Sequence, residues 1–333
     1  MRHLTVTQFG TFLGISGQRL VVKHDKSVIL EEALSRIRSI SITKNGVSIS
    51  SDLISACAVR GIKLFFLDWR GMIASALIGQ NQHAVVALRK AQFAAIERND
   101  KCCVLAKNII ITKIKNQRAV IRYFFKYLSK DCNKDLSDIV NQYLCSVGNL
   151  LNQLDNIKKI DNHWKNLIFG IEGKAATIYW QTLSKCKLLP DDFFVREGRN
   201  AQSLTNKALN YGYAILLGYV WAAIDNAGLE VYAGILHVDR PGKPSLVLDL
   251  MEEYRAWVVD RSIIKIRDKV LKAKSFDFSI KKVIAEEIHK TMSNSYRYHK
   301  KKVKLENILQ RQVYRFSGSM ASEENYKGYI FKW

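Results

Sequence analysis

The spacing of apolar residues changes near residue 84, and this change constrains the fold more than any other feature of the chain. Before it, short β-branched runs punctuated by glycine, such as 19–24 and 37–42, are typical of strands. After it, apolar residues recur at intervals of three and four, which indicates amphipathic helices. We therefore predict an α+β protein with a small N-terminal β-sandwich-like domain, residues 1–83, followed by a larger, mostly α-helical domain, residues 84–333.

Local signals refine the first region. Residues 62–67 and 72–77 flank the turn-like segment Asp68-Trp69-Arg70-Gly71, so we expect them to form a hairpin. A short helix over 51–59 should be capped by Ser50 or Ser51, whose hydroxyl groups suit a helix N-terminus.

The composition is that of a folded cytoplasmic protein. A chain of 333 residues with 48% hydrophobic content is large enough for two domains, each with its own hydrophobic core. It has no apolar stretch of signal-peptide or membrane-span length. The six cysteines form no C-x-x-C pair, so we expect them to be reduced thiols.

The net charge of +22 is unevenly distributed. Residues 1–80, 81–130 and 261–333 carry +5, +9 and +11, whereas residues 131–260 carry −3. This pattern suits a protein whose acidic region binds a cation while its basic regions bind a polyanion such as DNA. The alternative is a generally basic protein whose acidic middle has no function.

The acidic region contains a candidate metal site. His237 ends an apolar segment, and Asp249, Glu252 and Glu253 follow it at helical spacings that allow all three to project from one face. A further carboxylate, Glu172, stands at what we predict to be a helix start. An imidazole with carboxylate oxygens suits Mn²⁺ or Mg²⁺ better than a thiolate-seeking metal. Taken singly, the histidine is more often a core residue and each carboxylate a solvated or helix-end charge.

Several segments in order along the whole chain resemble the CRISPR-associated adaptation integrase and endonuclease family. They are Arg36 to Ser50, Arg60 to Asp68, Arg89 to Gln92, Lys113 to Arg118, Ile171 to Ala176, Asn206 to Tyr213 and Gly234 to Arg255. The resemblance implies that Glu172, His237 and Glu252 are catalytic residues and ligands of Mn²⁺ or Mg²⁺, with Asp249 as a supporting acidic residue. The choice of Glu252 over Glu253 comes from the family spacing, because helical geometry permits either.

The resemblance also implies an activity and partners. The chain would join the 3′-hydroxyl ends of captured DNA to the CRISPR repeat, and would act as an endonuclease when water attacks instead. It would bind double-stranded and branched DNA, form a homodimer through residues 1–83, and assemble with the small ferredoxin-like CRISPR adaptation partner. Residues 84–333 would form the catalytic domain.

The DNA-contact candidates are basic residues outside the acidic cluster. They are Arg89, Lys113, Arg118, Arg199, Lys300, Lys301, Lys302 and Lys304. Tyr296 and Tyr298 either stack on bases or pack onto the core. Two other functions remain open at this point: a stand-alone repair nuclease for branched DNA, and a non-enzymatic basic nucleic-acid-binding protein.

Overall fold

A computed structural model describes residues 2–68, 73–77, 79, 86–128, 134–157, 163–198 and 200–332. The strands are β1 (Arg2–Val6), β2 (Phe12–Ser16), β3 (Arg19–His24), β4 (Ser27–Ala33), β5 (Ile37–Ile42), β6 (Ser48–Ile49), β7 (Lys63–Leu67), β8 (Ile73–Leu77), β9 (Ser295–Tyr298) and β10 (Lys301–Lys304). The helices are α1 (Ser51–Val59), α2 (Val86–Glu97), α3 (Asn99–Leu128), α4 (Lys134–Asp155), α5 (Trp164–Lys185), α6 (Leu204–Asn226), α7 (Ser245–Tyr254), α8 (Arg261–Lys265), α9 (Arg267–Lys272), α10 (Phe278–Ser293) and α11 (Leu305–Ala321). A 3₁₀ turn (Leu34–Arg36) precedes β5, and a π-helical turn (Arg255–Asp260) joins α7 to α8.

The N-terminal strands form two sheets in the part of the chain described. One has the order β1-β5-β7-β8, with β1, β5 and β7 parallel and β8 antiparallel to β7. The other has the order β4-β3-β2-β6. Apolar side chains of both sheets, such as Leu13 and Ile40, share one core with Leu53 of α1. This arrangement confirms the predicted α+β class with a sandwich-like N-terminal region.

The local predictions for this region are also confirmed. β7 and β8 pair as the expected hairpin, although its turn, residues 69–72, lies outside the described residues. Ser50 rather than Ser51 caps α1, since its side chain accepts the backbone N–H of Leu53 at 3.3 Å. The boundary predicted between residues 83 and 84 also falls in a segment that is not described, so the domain limits stay a prediction.

The helices pack around α6, which is buried on nearly every side. Phe65 and Leu67 of β7 belong to this larger core, whereas Leu64 belongs to the core between the sheets. Lys63 of β7 forms a buried ion pair with Asp225 of α6, and its Nζ also donates to the carbonyl oxygen of Ala222 at 2.9 Å. The sheet and the helical core are therefore joined by both apolar and ionic contacts.

Candidate metal centre

Three helices and one loop contribute the side chains of the candidate site. Glu172 lies in the interior of α5 rather than at the helix start that its sequence context had suggested. Asp249, Glu252 and Glu253 lie on α7, and His237 lies in the loop that precedes it. Lys113 enters from the middle of α3.

Asp249 fixes the conformation of the His237 loop. Its fully buried carboxylate accepts the backbone N–H groups of Ile235 and Leu236, at 2.7 and 3.1 Å, and that of His237 at 3.0 Å. The ring Nδ1 of His237 is also 2.7 Å from Asp249 Oδ1. An ionised carboxylate only accepts hydrogen bonds, so Nδ1 carries the proton and Nε2 is left as the basic nitrogen. Asp249 therefore occupies the position from which a carboxylate orients a metal-binding histidine.

Glu172 and Glu252 converge on a single positive charge. The ammonium group of Lys113 contacts Glu172 Oε1 and lies 2.6 Å from Glu252 Oε2. Arg255 donates to the other oxygen of Glu252 at 2.6 Å. Burial alone would raise the pKa of Glu252, but the charges of Arg255 and Lys113 lower it to about 2. Glu252 is therefore an anion at neutral pH, although little of it is exposed.

Glu253 points away from this cluster. Its side chain is fully buried and accepts the hydroxyl of Tyr326 at 2.9 Å on the opposite side of α7. Burial raises the pKa of Glu253 to about 8, against the hydrogen bonds from Tyr326 and from the backbone of Tyr329. The three acidic residues of α7 therefore do not share one face: Asp249 meets the His237 loop, Glu252 meets Lys113 and Arg255, and Glu253 meets the C-terminal segment.

A cavity of about 210 Å³ opens beside the two converging carboxylates. Its walls include Arg196, Arg255, Tyr213 and Asp260. The guanidinium groups of Arg196 and Arg255 lie 5.2 and 4.2 Å from the centre of the Tyr213 ring. The hydroxyl of Tyr213 donates to Asp260, whose pKa burial raises to about 6. The cavity therefore presents two fixed cations next to the acidic pair, which is a suitable arrangement for a phosphodiester.

Two asparagines hold Arg196 in this wall. Its guanidinium donates to the side-chain oxygens of Asn206 at 3.2 Å and of Asn210 at 2.6 Å, both on α6. Four residues that line the cavity were not predicted from the sequence as members of the site: Arg196, Arg255, Tyr213 and Asp260. The segment Asn206 to Tyr213 contained one clue. Asn206 and Asn210 are one helical turn apart, so their side chains can bind the same group.

The carboxylates and the imidazole of this site are chemically suited to binding a hard divalent cation. Two carboxylates already converge on one positive charge, and the oriented imidazole of His237 has one basic nitrogen. Over the described ranges, however, no three Asp, Glu, His or Cys side chains are grouped closely enough to hold an ion. Assignment of Glu172, His237 and Glu252 as ligands of Mn²⁺ or Mg²⁺ therefore stays a prediction.

The DNA-contact candidates occupy different environments. Lys113 is buried inside the site rather than on an open surface. Arg89 and Arg118 are half-buried, and Arg89 donates to the carbonyl oxygen of Gly228 at 3.3 Å. Arg199 lies outside the described residues. The remaining four are exposed on the hairpin formed by β9 and β10: Lys300, Lys301, Lys302 and Lys304. Their contact with DNA stays a prediction.

The tyrosines of this hairpin pack onto the core. Tyr298 is buried with its ring 5.9 Å from that of Tyr329, and the Tyr296 ring lies 5.7 Å from that of Phe331. These contacts favour the packing interpretation of both residues over base stacking.

Comparison with known proteins identifies the family. The family model described as CRISPR associated protein Cas1 matches residues 4–312. A CRISPR-associated endonuclease Cas1 of Francisella tularensis subsp. novicida is 48% identical over 340 aligned positions that cover all of both chains. The chain belongs to the Cas1 family. The resemblance predicted from its sequence motifs is thereby confirmed.

Solved structures share the Cas1 fold. A casposase bound to its integration product matches with a TM-score of 0.83 at 21% identity, covering 100% of this chain and 95% of the other. A Cas6-RT-Cas1–Cas2 complex matches with a TM-score of 0.78 at 18% identity, covering 99% of this chain and 36% of the other.

Two further predictions concern the environment of the chain. Among the described helices, none is both long and apolar enough to cross a lipid bilayer. The cysteines at 57, 102, 103, 145 and 186 are free thiols.

Proposed function

We propose that this Cas1 protein is a CRISPR spacer-acquisition integrase and a metal-dependent DNA endonuclease. The observation that carries the proposal is the convergence of Glu172 and Glu252, from two different helices, beside a cavity lined by Arg196 and Arg255. Membership of the Cas1 family supports it, as does the similarity to a Cas1 endonuclease and to a casposase bound to an integration product.

In the proposed reaction a 3′-hydroxyl group of captured DNA attacks a phosphodiester of the repeat. One P–O bond forms as another breaks, the leaving 3′-oxygen takes up a proton, and the number of phosphodiesters is unchanged. Glu172, Glu252 and His237 would hold Mn²⁺ or Mg²⁺; when bound, the ion would supply Lewis-acid polarisation of the phosphodiester and would stabilise the negative charge on its oxygens. Asp249 keeps Nε2 of His237 available, and Arg196 and Arg255 orient the phosphodiester. When water takes the place of the hydroxyl, the same residues support cleavage.

The partners follow from the same proposal. The +22 charge supports binding of double-stranded and branched DNA. The likeness to a chain of a Cas6-RT-Cas1–Cas2 complex supports assembly with the small adaptation partner. We further propose a homodimer formed through the N-terminal sheets and a cytoplasmic location.

Strand joining with paired glutamine variants tests the proposal. A short duplex with free 3′-hydroxyls is incubated with a repeat-bearing plasmid, the chain and its small partner, in Mn²⁺, Mg²⁺ or EDTA. Glu252→Gln should reduce joining at least a hundredfold, because one carboxylate of the site is lost. The neighbouring Glu253→Gln should retain most of it, because Glu253 faces away from the cavity.

The controls separate the alternative functions. A duplex with 3′-deoxy ends should abolish joining but leave cleavage of branched DNA intact. Cleavage of branched DNA without any joining would favour a repair nuclease. No joined or cleaved DNA in Mn²⁺ or Mg²⁺ beyond the amount found without the protein would favour a non-enzymatic binding protein. Full activity of Glu252→Gln would contradict the proposed site.

A further inference from the structure

The ammonium group of Lys113 occupies the place between the two carboxylates that the proposed function gives to a divalent ion. It contacts both Glu172 and Glu252, and these contacts join α3, α5 and α7. The side chain of Lys113 is only 11% exposed, and those of Glu172 and Glu252 are 21% and 7% exposed. Lys113 is therefore an internal counter-ion in a confined space.

The charges of the cluster balance without any metal. Lys113 and Arg255 supply two positive charges, and Glu172 and Glu252 supply two negative ones. A divalent ion bound by the same carboxylates would leave the cluster with an excess of two positive charges. It would also stand within a few ångströms of the ammonium group, where repulsion between buried like charges is strong. The lysine and the metal ion therefore compete for one position.

Lys113 also explains how the carboxylates stay close together before metal binds. Two partly buried carboxylates repel each other unless a cation lies between them. The ammonium group supplies that cation from within the chain, so the site is formed in advance.

We infer that Lys113 is a built-in substitute for the metal: it holds Glu172 and Glu252 in the metal-free protein and must leave them when a divalent ion binds. This inference rests on the proposed metal-dependent function. It makes Lys113 a positioning residue that sets the affinity of the site for metal, rather than a surface contact for DNA.

Manganese binding by the full chain, without DNA, tests this inference. Mn²⁺ affinity is measured by electron paramagnetic resonance and calorimetry for the wild type, Lys113→Met and the control Lys115→Met on the same helix. Lys113→Met should bind Mn²⁺ at least tenfold more tightly, because the competing charge is gone. Lys115→Met should bind as the wild type does. Equal or weaker binding by Lys113→Met would overturn the inference.

Thermal unfolding gives a second readout. In EDTA, Lys113→Met should have a lower Tm than the wild type, because Glu172 and Glu252 then repel each other. Saturating Mn²⁺ should restore its Tm and raise it by more than in the wild type. A variant that folds only with Mn²⁺ supports the inference, and one that fails to fold in either condition refutes it, because Lys113 would then be merely structural.

These readouts separate the inference from the proposed function. If the wild type and Lys113→Met both fail to bind Mn²⁺, the metal-dependent function itself fails. If both bind equally while strand joining requires metal, only the role of Lys113 fails.

Discussion

Adjacent glutamates of α7 lie in opposite electrostatic environments. Glu252 is paired with Lys113 and Arg255, and its pKa is about 2. Glu253 has a neutral hydroxyl group from Tyr326 as a partner, and burial raises its pKa to about 8. At neutral pH Glu252 is therefore an anion that can bind a cation, whereas Glu253 is largely a neutral acid that can be buried in the core. The difference arises from the side of the helix on which each residue lies.

Also at the scale of single residues, the largely buried His289 should make the free energy of unfolding depend on pH. Its ring nitrogens contact the hydroxyl groups of Thr5 and Tyr219, and burial lowers its pKa from 6.5 to about 4. Between these values the unfolded chain takes up a proton that the folded chain excludes. The stability due to this group is therefore full above pH 6.5 and declines as the pH falls toward 4, by on the order of 1 kcal/mol at pH 5.5.

Thermal unfolding between pH 4.5 and 7.5 checks this prediction. His289→Gln should lose less stability on acidification than the wild type, because glutamine keeps hydrogen-bonding groups but does not titrate. His299→Asn, at an exposed turn, serves as the control and should follow the wild type. Parallel curves for His289→Gln and the wild type would contradict the assignment.

At the scale of elements, the position of His237 depends on close packing of its loop against α7. A Cβ atom on Gly234 would lie 2.6 Å from Cβ of Ser245 and 3.0 Å from Oδ2 of Asp249. Gly234→Ala should therefore push the loop away from Asp249 and misplace the imidazole. We expect a loss of stability of about 1–3 kcal/mol from overpacking. Strand joining should fall by about a hundredfold, the effect of a displacement near 1 Å at a reacting centre.

A second glycine provides the matched control. Gly148 lies within α4, and a Cβ atom there would meet nothing within 4 Å. Gly148→Ala should stabilise the protein by about 0.5–1 kcal/mol through helix propensity and leave joining unchanged. Full activity in Gly234→Ala would show that the loop is not held as the packing implies.

The π-helical turn after α7 also belongs to the geometry of the site. Residues Arg255–Asp260 form this turn, so both Arg255 and Asp260 line the cavity although they are five positions apart. π-Helical turns often occur at functional sites because they redirect side chains within a helix. Here the turn places a cation beside Glu252 and a carboxylate beside Tyr213.

At the scale of the whole molecule, the C-terminal segment stabilises the arrangement of α3 and α7. The amide of Asn116 on α3 donates to the carbonyl oxygens of Glu253 at 2.7 Å and Tyr329 at 2.9 Å. Its oxygen accepts the N–H group of Phe331 at 3.0 Å. One buried side chain thus joins both helices to the segment that covers Glu253.

The basic hairpin of β9 and β10 should contribute to the electrostatic attraction of DNA. Changing Lys300, Lys301, Lys302 and Lys304 together to glutamine should reduce the slope of log K against log salt by about 3 to 4 if all four contact phosphates of duplex DNA. Fluorescence anisotropy with a labelled duplex at several salt concentrations measures this slope.

A variant of equal charge distinguishes local contact from overall charge. Lys269, Lys272, Lys274 and Lys282 are four other exposed lysines. Their combined change to glutamine should alter the slope less than the hairpin variant. If the two quadruple variants behave alike, the hairpin has no special role in DNA binding.

The sequence alone was sufficient for the fold class and the family. It also singled out Glu172, Asp249 and Glu252 as candidate site residues, but it missed Asp260. Periodicity is a local property, so the strand-rich region and the later helices could be recognised from neighbouring residues. The pairing of β9 with β10 was missed, because basic residues such as Lys301 and Lys302 hide the alternation that indicates a strand. The spacing of residues along α7 also could not distinguish Glu252 from Glu253, so we wrongly allowed both to lie on one face of the helix.

Only the tertiary structure decided which charges meet. The sequence placed Lys113 among basic surface candidates, but the packing of α3 against α5 and α7 brings its ammonium group between Glu172 and Glu252. It likewise brings Arg196 over Tyr213 through two asparagines of α6. The physical reason is that a side chain's charge is set by its own chemistry, whereas its partner is set by the packing of helices distant in sequence.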